Sequence, residues 1–304
     1  MGSPEFAVPV LRALAAEHDV ILVVTQPDRP AGRGRALRPP PAKLAALELG
    51  IPVWQPQSLR HSESVERLQA TSPDVIVVAA FGQLLPPSVL AIPRAGALNV
   101  HPSLLPRHRG ASPVAAAILA GDSETGVTIM LLDEGTDTGP ILAQERVPIL
   151  PQESRGELEA RLAELGAALL IEALPQWLSG KLRPMPQDHA QATFTRPLKP
   201  EDGRIDWAQP AAQLERLCRA MDPWPGAFTT WEGRRLRIVR GAVCEGQAGL
   251  SPGQVFPIQG GGAAVATGEG ALALLRVQLE GRPEMDAAAF VRGRPQFLSA
   301  RLPS

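Results

Sequence analysis

The sequence predicts an α/β protein, a doubly wound and mostly parallel sheet with helices on both faces, followed by a smaller barrel-like β domain. Three observations predict it. In the first half, apolar strand-like runs at 20–25, 51–54, 74–80, 97–101 and 127–133 alternate with helical patterns at 4–16, 41–49, 64–70 and 112–119. Such alternation marks βαβ units. Next, residues 181–199 gather Pro184, Pro186 and Pro197 among polar residues, the composition of a linker. Beyond it the grammar changes. One helical pattern at 211–221 precedes short strands broken by Glu232-Gly233, Gly260-Gly261-Gly262 and Gly268-Glu269-Gly270, as in a small barrel. The expected division is therefore 1–180, a linker at 181–199, and 200–304.

Each element has a local cause. Gly50 supplies a C-terminal stop for the second helix. Ser154-x-x-Glu157 is a capping box that opens a long helix through Trp177, with Leu158, Leu162, Leu165 and Leu169 on one stripe. At the start, Met1-Gly2-Ser3-Pro4 reads as a loop with Ser3 as N-cap and Pro4 as the first helical residue.

Composition narrows the class. With 44% hydrophobic and 20% charged residues among 304, the chain is an ordinary soluble globular protein. It shows no signal peptide, and its apolar run 75–81 is too short to cross a bilayer. Cys218 and Cys244 cannot build a disulfide framework, so a reducing, cytoplasmic setting is expected. A net charge of −1 offers no global attraction to nucleic acid, which leaves local patches. The chain holds 27 Arg, only 3 Lys and a single Asn, Asn99, two residues before His101.

That Asn opens the strongest constellation, Asn99-Val100-His101-Pro102-Ser103-Leu104-Leu105-Pro106-Arg107-His108-Arg109-Gly110. It follows a strand, at the carboxyl end where open α/β sheets bind ligands. Residues two apart in an extended segment share a side, so Asn99 and His101 address one point. A second piece, Asp133-Glu134-Gly135-Thr136-Asp137-Thr138-Gly139-Pro140, also follows a strand, and its glycines allow a tight turn that presents an acid. An amide, an imidazole and a carboxylate suffice for acyl transfer to an amine. The first two stabilise an oxyanion, and the third accepts the amine's proton. No Gly-x-Ser-x-Gly element is present, which favours direct transfer. The segment 26–40 carries Arg29, Arg33, Arg35 and Arg38, either a solvated basic loop or a grip on RNA phosphates. Gly-Arg-Gly-Arg lacks the spacing of a dinucleotide fingerprint, there is no phosphate-binding Gly-Lys-Ser/Thr loop for ATP, and His and Cys show no metal spacing.

Along nearly its whole length the chain resembles the methionyl-tRNA formyltransferases of the folate-dependent formyltransferase superfamily. The resemblance is carried by residues 2–9, 25–34, 99–110, 126–130, 202–207 and 222–226. It implies a Rossmann-like formyltransferase domain and an OB-like barrel. It also implies a catalytic trio of Asn99, His101 and Asp137, and a folate-binding segment of Ser103, Leu104, Leu105 and Pro106. Arg29, Arg33, Arg35 and Arg38 would contact tRNA. The implied co-substrate is 10-formyltetrahydrofolate and the partner is charged initiator tRNA. The enzyme would be a monomer that uses neither metal nor ATP and touches no membrane. Other folate formyltransferases, acting on glycinamide ribonucleotide or an amino sugar, are the nearest alternative, since residues 137–141 suit them equally. Members of the family begin with an apolar strand before the Gly-Ser-Pro segment, so a short upstream strand is expected here.

Overall fold

The computed structural model describes residues 1–31 and 36–304. The chain divides into two compact units whose membership differs from a single cut at 181–199. The first comprises Met1–Pro113, Glu124–Pro148 and Leu158–Thr195; the second comprises Val114–Ser123, Ile149–Glu157 and Arg196–Ser304.

In the first unit Ile76–Val78 pairs parallel with Ala97–His101, which pairs antiparallel with Glu124–Leu131, and that with Ile141–Pro148. A separate parallel pair, Val23–Val24 with Val53–Trp54, lies beyond. The five strands read from the sequence are all found, most of them shorter than their apolar runs. The sequence gives no sign of Ile141–Pro148, whose outer half is exposed and carries Gln144, Glu145 and Arg146. The long helix is Arg155–Leu178, with Leu158, Leu162 and Leu170 fully buried.

Ser3 does not cap the first helix, Ala7–Glu17, whose N-cap is Phe6 without a side-chain bond. The Ser3 hydroxyl instead accepts from Gln26 N at 3.1 Å and from Thr25 Oγ1 at 3.2 Å, tying the chain start to a strand end. Met1 and Gly2 bridge the two parts of the sheet. Gly2 N donates to Val24 O at 3.1 Å, and Ala79 N donates to Met1 O at 2.9 Å. Beside this bridge lies a cavity of about 380 Å³ lined by Val20, Leu22, Val75, Val77, Leu174 and Leu178. Among the described residues the strand Val23–Val24 pairs only with Val53–Trp54, and Ile76–Val78 only with Ala97–His101. Burial holds the Met1 α-amino group down at about 5, and that nitrogen donates to Val77 O at 2.5 Å.

The second unit is an antiparallel sheet ordered Ala227–Trp231, Arg234–Cys244, Ala271–Leu279, Ala263–Ala266, Val255–Pro257, with Met285–Asp286 also on Ala271–Leu279. Glu232 and Gly233 both have positive φ, as a two-residue hairpin turn requires. Irregular register around Arg240 bends the longest strand. Among the described residues the two end strands do not pair, so the barrel-like expectation takes the form of a curled half-barrel. Its interior holds Trp207, Leu236, Ile238 and an edge-to-face triangle of Trp231, Phe290 and Phe297. The strand arginines are engaged within the unit. Arg235 lies 3.7 Å over the Phe228 ring, Arg237 pairs with Asp222, and Arg240 reaches Glu157 at 2.9 Å.

The capping box forms as its residues dictate. Ser154 N and Oγ donate to Glu157 Oε2 at 2.8 and 2.7 Å. These bonds, and then Arg240, pull the Glu157 carboxyl down to about 2 from 4.5. A depressed carboxyl contributes stability above its unfolded value and loses it as pH falls through the folded one. Glu157→Gln is therefore expected to lower Tm at pH 7 by about 2–4 °C, the worth of one cap. The difference from the parent should shrink steadily between pH 4.5 and pH 2. Thermal melts across that range check it, and a constant difference would refute the assignment.

The cavity generates a second expectation. An apolar extended segment of about five residues fused ahead of Met1 would replace the buried amine with a peptide group and could pack into this cavity. It should raise Tm by about 5 °C. The amine's folded value lies below its model value of 8.0, so the unfolded chain binds more protons between about 5 and 8. Stability then rises with pH in that window, and the fusion should abolish that rise. An unchanged Tm and pH slope would show that the flanking strands close up without an occupant.

Candidate active site

Three elements of the first unit converge. The strand Ala97–His101 is buried at every position and places Asn99 and His101 on the same side, 9% and 4% exposed. The turn after Glu124–Leu131 brings Asp137 against them. The loop after His101 folds back to supply two backbone groups.

Asp137 is the hub. Its Oδ2 accepts from Gly110 N at 2.7 Å and stands 3.7 Å from His101 Nδ1, while its Oδ1 accepts from Asn99 Nδ2 at 3.4 Å. On the far side of the imidazole, His101 Nε2 meets His108 O at 3.0 Å. A carbonyl only accepts, so Nε2 carries a proton, and Nδ1 is the nitrogen that faces the carboxylate. Asn99 keeps a second N–H uncommitted among the described residues. Nearly buried donors beside a carboxylate that is 14% exposed form a site that can hold an oxygen and take a proton from the same reactant.

The turn is shaped for this task. Asp137 sits at φ +52°, a left-handed conformation that costs an L-residue about 1 kcal/mol. Gly139 lets the turn lie against the preceding strand, because a Cβ there would meet Leu131 O at 2.0 Å. Asp133 Oδ1 braces it by accepting from Gly135 N at 3.1 Å and Thr138 Oγ1 at 2.6 Å.

In the segment expected to bind folate, Ser103 and Leu105 point inward, and Leu104 and Pro106 are partly exposed. The Ser103 hydroxyl is spent on Arg107 O at 2.7 Å. A buried Thr128 fixes the loop by donating to Ser103 O at 2.6 Å and accepting from Leu105 N at 3.2 Å; Gln144 Nε2 donates to Leu105 O at 2.8 Å. Of the four residues, Leu104 and Pro106 keep side-chain surface open to solvent.

Within the arginine segment the described residues form two short paired strands. Arg29–Ala31 pairs antiparallel with Ala36–Arg38, with Arg29 directly opposite Arg38 and both exposed. Arg33 and Arg35 lie outside the described residues. The ribbon's base is pinned by Asp28, which accepts from Lys43 at 2.9 Å and Gln55 at 2.7 Å. These two donors hold the Asp28 carboxyl below the usual range, Gln55 contributing most. Gln144, and Gln187 described below, went unforeseen, each a lone polar residue without a motif around it. Thr128 and Arg109 lie in the segments 126–130 and 99–110 that the sequence singles out, but the sequence assigns them no role.

Residues 1–174 match the formyl transferase family, and residues 197–295 match the formyl transferase C-terminal domain. A methionyl-tRNA formyltransferase of Chloroflexus aggregans is 54% identical over 295 residues, spanning 96% of each chain. That of Myxococcus xanthus is 48% identical over 293 residues, 96% of this chain and 93% of its own. Among solved structures, WlaRD, a sugar 3N-formyl transferase in the presence of dTDP and 5-N-formyl-THF, superposes with a TM-score of 0.67 at 16% identity, over 93% of this chain and 97% of that one. At that identity the likeness speaks for the fold alone. Matched over both units and half-identical along almost its full length, this chain belongs to the formyl transferase family, where its relatives are methionyl-tRNA formyltransferases.

Proposed function

We propose that the protein transfers the formyl group of 10-formyltetrahydrofolate to the α-amino group of methionine esterified to initiator tRNA. The observation that carries this reading is the convergence of Asn99, His101 and Asp137 within hydrogen-bonding or ion-pair reach of one another. The folate carrier supplies a formyl group bonded to a nitrogen that can leave. The uncommitted N–H of Asn99 donates to the formyl oxygen as negative charge develops there, and the imidazole of His101, held between Asp137 and the His108 carbonyl, keeps the carboxylate in place. Asp137 accepts the proton shed by the attacking amine as the new C–N bond forms. When the old C–N bond breaks, the proton taken up by Asp137 passes, through water, to the departing folate nitrogen, so charge and protons balance. The residues fit a folate, since Leu104 and Pro106 offer partly exposed apolar surface beside the trio.

In this reading the enzyme works as a cytoplasmic monomer and uses no metal, because an amide, an imidazole and a carboxylate suffice. Among the described residues no cluster of His, Cys, Asp or Glu has metal-holding geometry, and no helix is long and apolar enough to cross a membrane. Arg29 and Arg38 grip tRNA phosphates. Like charges directly opposite on a ladder destabilise it, and a bound polyanion relieves that repulsion.

Asp137→Asn is expected to lower kcat by about 10²-fold or more while the protein melts normally. Near-normal turnover with charged initiator tRNA and formylated folate would remove Asp137 from the mechanism. Neutralising both Arg29 and Arg38 to Gln should raise KM for tRNA and flatten its logarithmic salt dependence by about one unit per arginine, with KM for folate unchanged. An unaltered salt slope would leave the ribbon as solvated surface.

A further inference from the structure

Residues 181–195, which read as linker, are exposed at most positions, yet Gln187 is 6% exposed. Its amide is fully used. Nε2 donates to Asp137 O at 2.9 Å and to Gly139 O at 2.6 Å, and Oε1 accepts from Arg109 Nε at 3.1 Å and Nη2 at 2.7 Å. Two donor hydrogens and two acceptor lone pairs are thus all spent, and the amide has one orientation. Both carbonyls belong to the turn that holds Asp137 in its left-handed conformation.

The same segment grips the other side of the site. Thr193 Oγ1 accepts from His108 N at 2.8 Å, and Thr193 O accepts from Arg109 N at 2.9 Å. Phe194–Thr195 then pairs parallel with Arg109–Gly110. Those residues carry the two backbone groups that the trio uses, the His108 carbonyl on His101 and the Gly110 N–H on Asp137. Arg109 itself is 2% exposed, and its guanidinium is met by Gln187 and by His189 Nδ1 at 3.1 Å. One amide therefore couples the turn that presents the carboxylate to the loop that orients the imidazole.

We infer that Gln187 is a positioning residue for catalysis, and that the segment it belongs to is part of the catalytic unit rather than a tether. The inference rests on the reading of Asn99, His101 and Asp137 as the catalytic groups. Gln187 touches no reactant. It fixes where the Asp137 carboxylate stands relative to His101, and a misplacement of about 1 Å at such a site costs on the order of 10²-fold in rate.

Three variants of the full chain separate the possibilities. Gln187→Glu keeps an acceptor for Arg109 but sets an oxygen against the carbonyls of Asp137 and Gly139. Gln187→Met is nearly isosteric and loses both halves. Both should lower kcat by about tenfold or more, with KM for tRNA and folate within about twofold, and both should move the acidic limb of the pH–rate profile because the carboxylate–imidazole spacing changes. Adding Gln187→Glu to Asp137→Asn should cost less than about twofold further, since the group it positions is already gone. If Gln187→Glu turns over normally while Gln187→Met does not, the amide serves Arg109 alone and the inference is overturned. A full additional loss in the double variant would show general structural damage and overturn it as well. Normal turnover in Asp137→Asn itself sinks the underlying reading instead, so the two failures are told apart.

Discussion

The short hydrogen bond from Gly110 N to Asp137 Oδ2 is the constraint on which the rest of the site depends. It joins a loop that follows one strand to a turn that follows the next, across 27 residues of sequence. Because it takes the oxygen that faces His101, it sets the carboxylate's rotation, and the Asn99 contact follows from the remaining oxygen. Its geometry requires residues that ordinary side chains would spoil. Gly110 has φ +103°, and a Cβ there would meet Thr195 O at 2.3 Å. Asp137 needs a left-handed backbone, and the Gly139 position admits no side chain. The acid is therefore held by the backbone of its neighbours more than by charge.

This explains why part of the site was legible and part was not. Asn99 and His101 could be read because a strand's period of two fixes their common side, and the strand itself is an apolar run ending at a turn. The capping box at Ser154 and the helix Ala211–Met221 follow from local patterns and stand where those patterns put them. Asp137 needed the resemblance, since Asp133, Glu134 and Asp137 share one short turn and local rules do not choose among them. Gln187 had no signal at all. Its four bonds reach residues 48 to 78 positions away, and the segment around it has no periodicity. Ile141–Pro148 was missed for a related reason, as its exposed polar half breaks the apolar alternation that marks a strand.

The arginines divide by structural circumstance rather than by sequence. In the half-barrel, Arg237 and Arg240 pair with Asp222 and Glu157, and Arg235 stacks on Phe228, so their charge is already answered within the fold. Burial and the neighbouring Arg237 also make Arg235 easier to deprotonate than a free guanidinium. Arg29 and Arg38 differ. They are exposed and face one another across a ribbon whose root is fixed by Asp28, Lys43 and Gln55. A stiff root beneath unneutralised charge suits a surface that meets a large polyanion.

The clasp formed by Met185–Thr195 belongs to the first unit by its hydrogen bonds, although it lies beyond the stretch that matches the formyl transferase family. The region matching the formyl transferase family ends at residue 174, and a fragment cut there would keep Asn99, His101 and Asp137. It would lose Gln187, the Thr193 grip on the His108–Arg109 backbone, and the strand that backs Gly110. Drawn by its contacts and hydrogen bonds, the first unit runs on to Thr195.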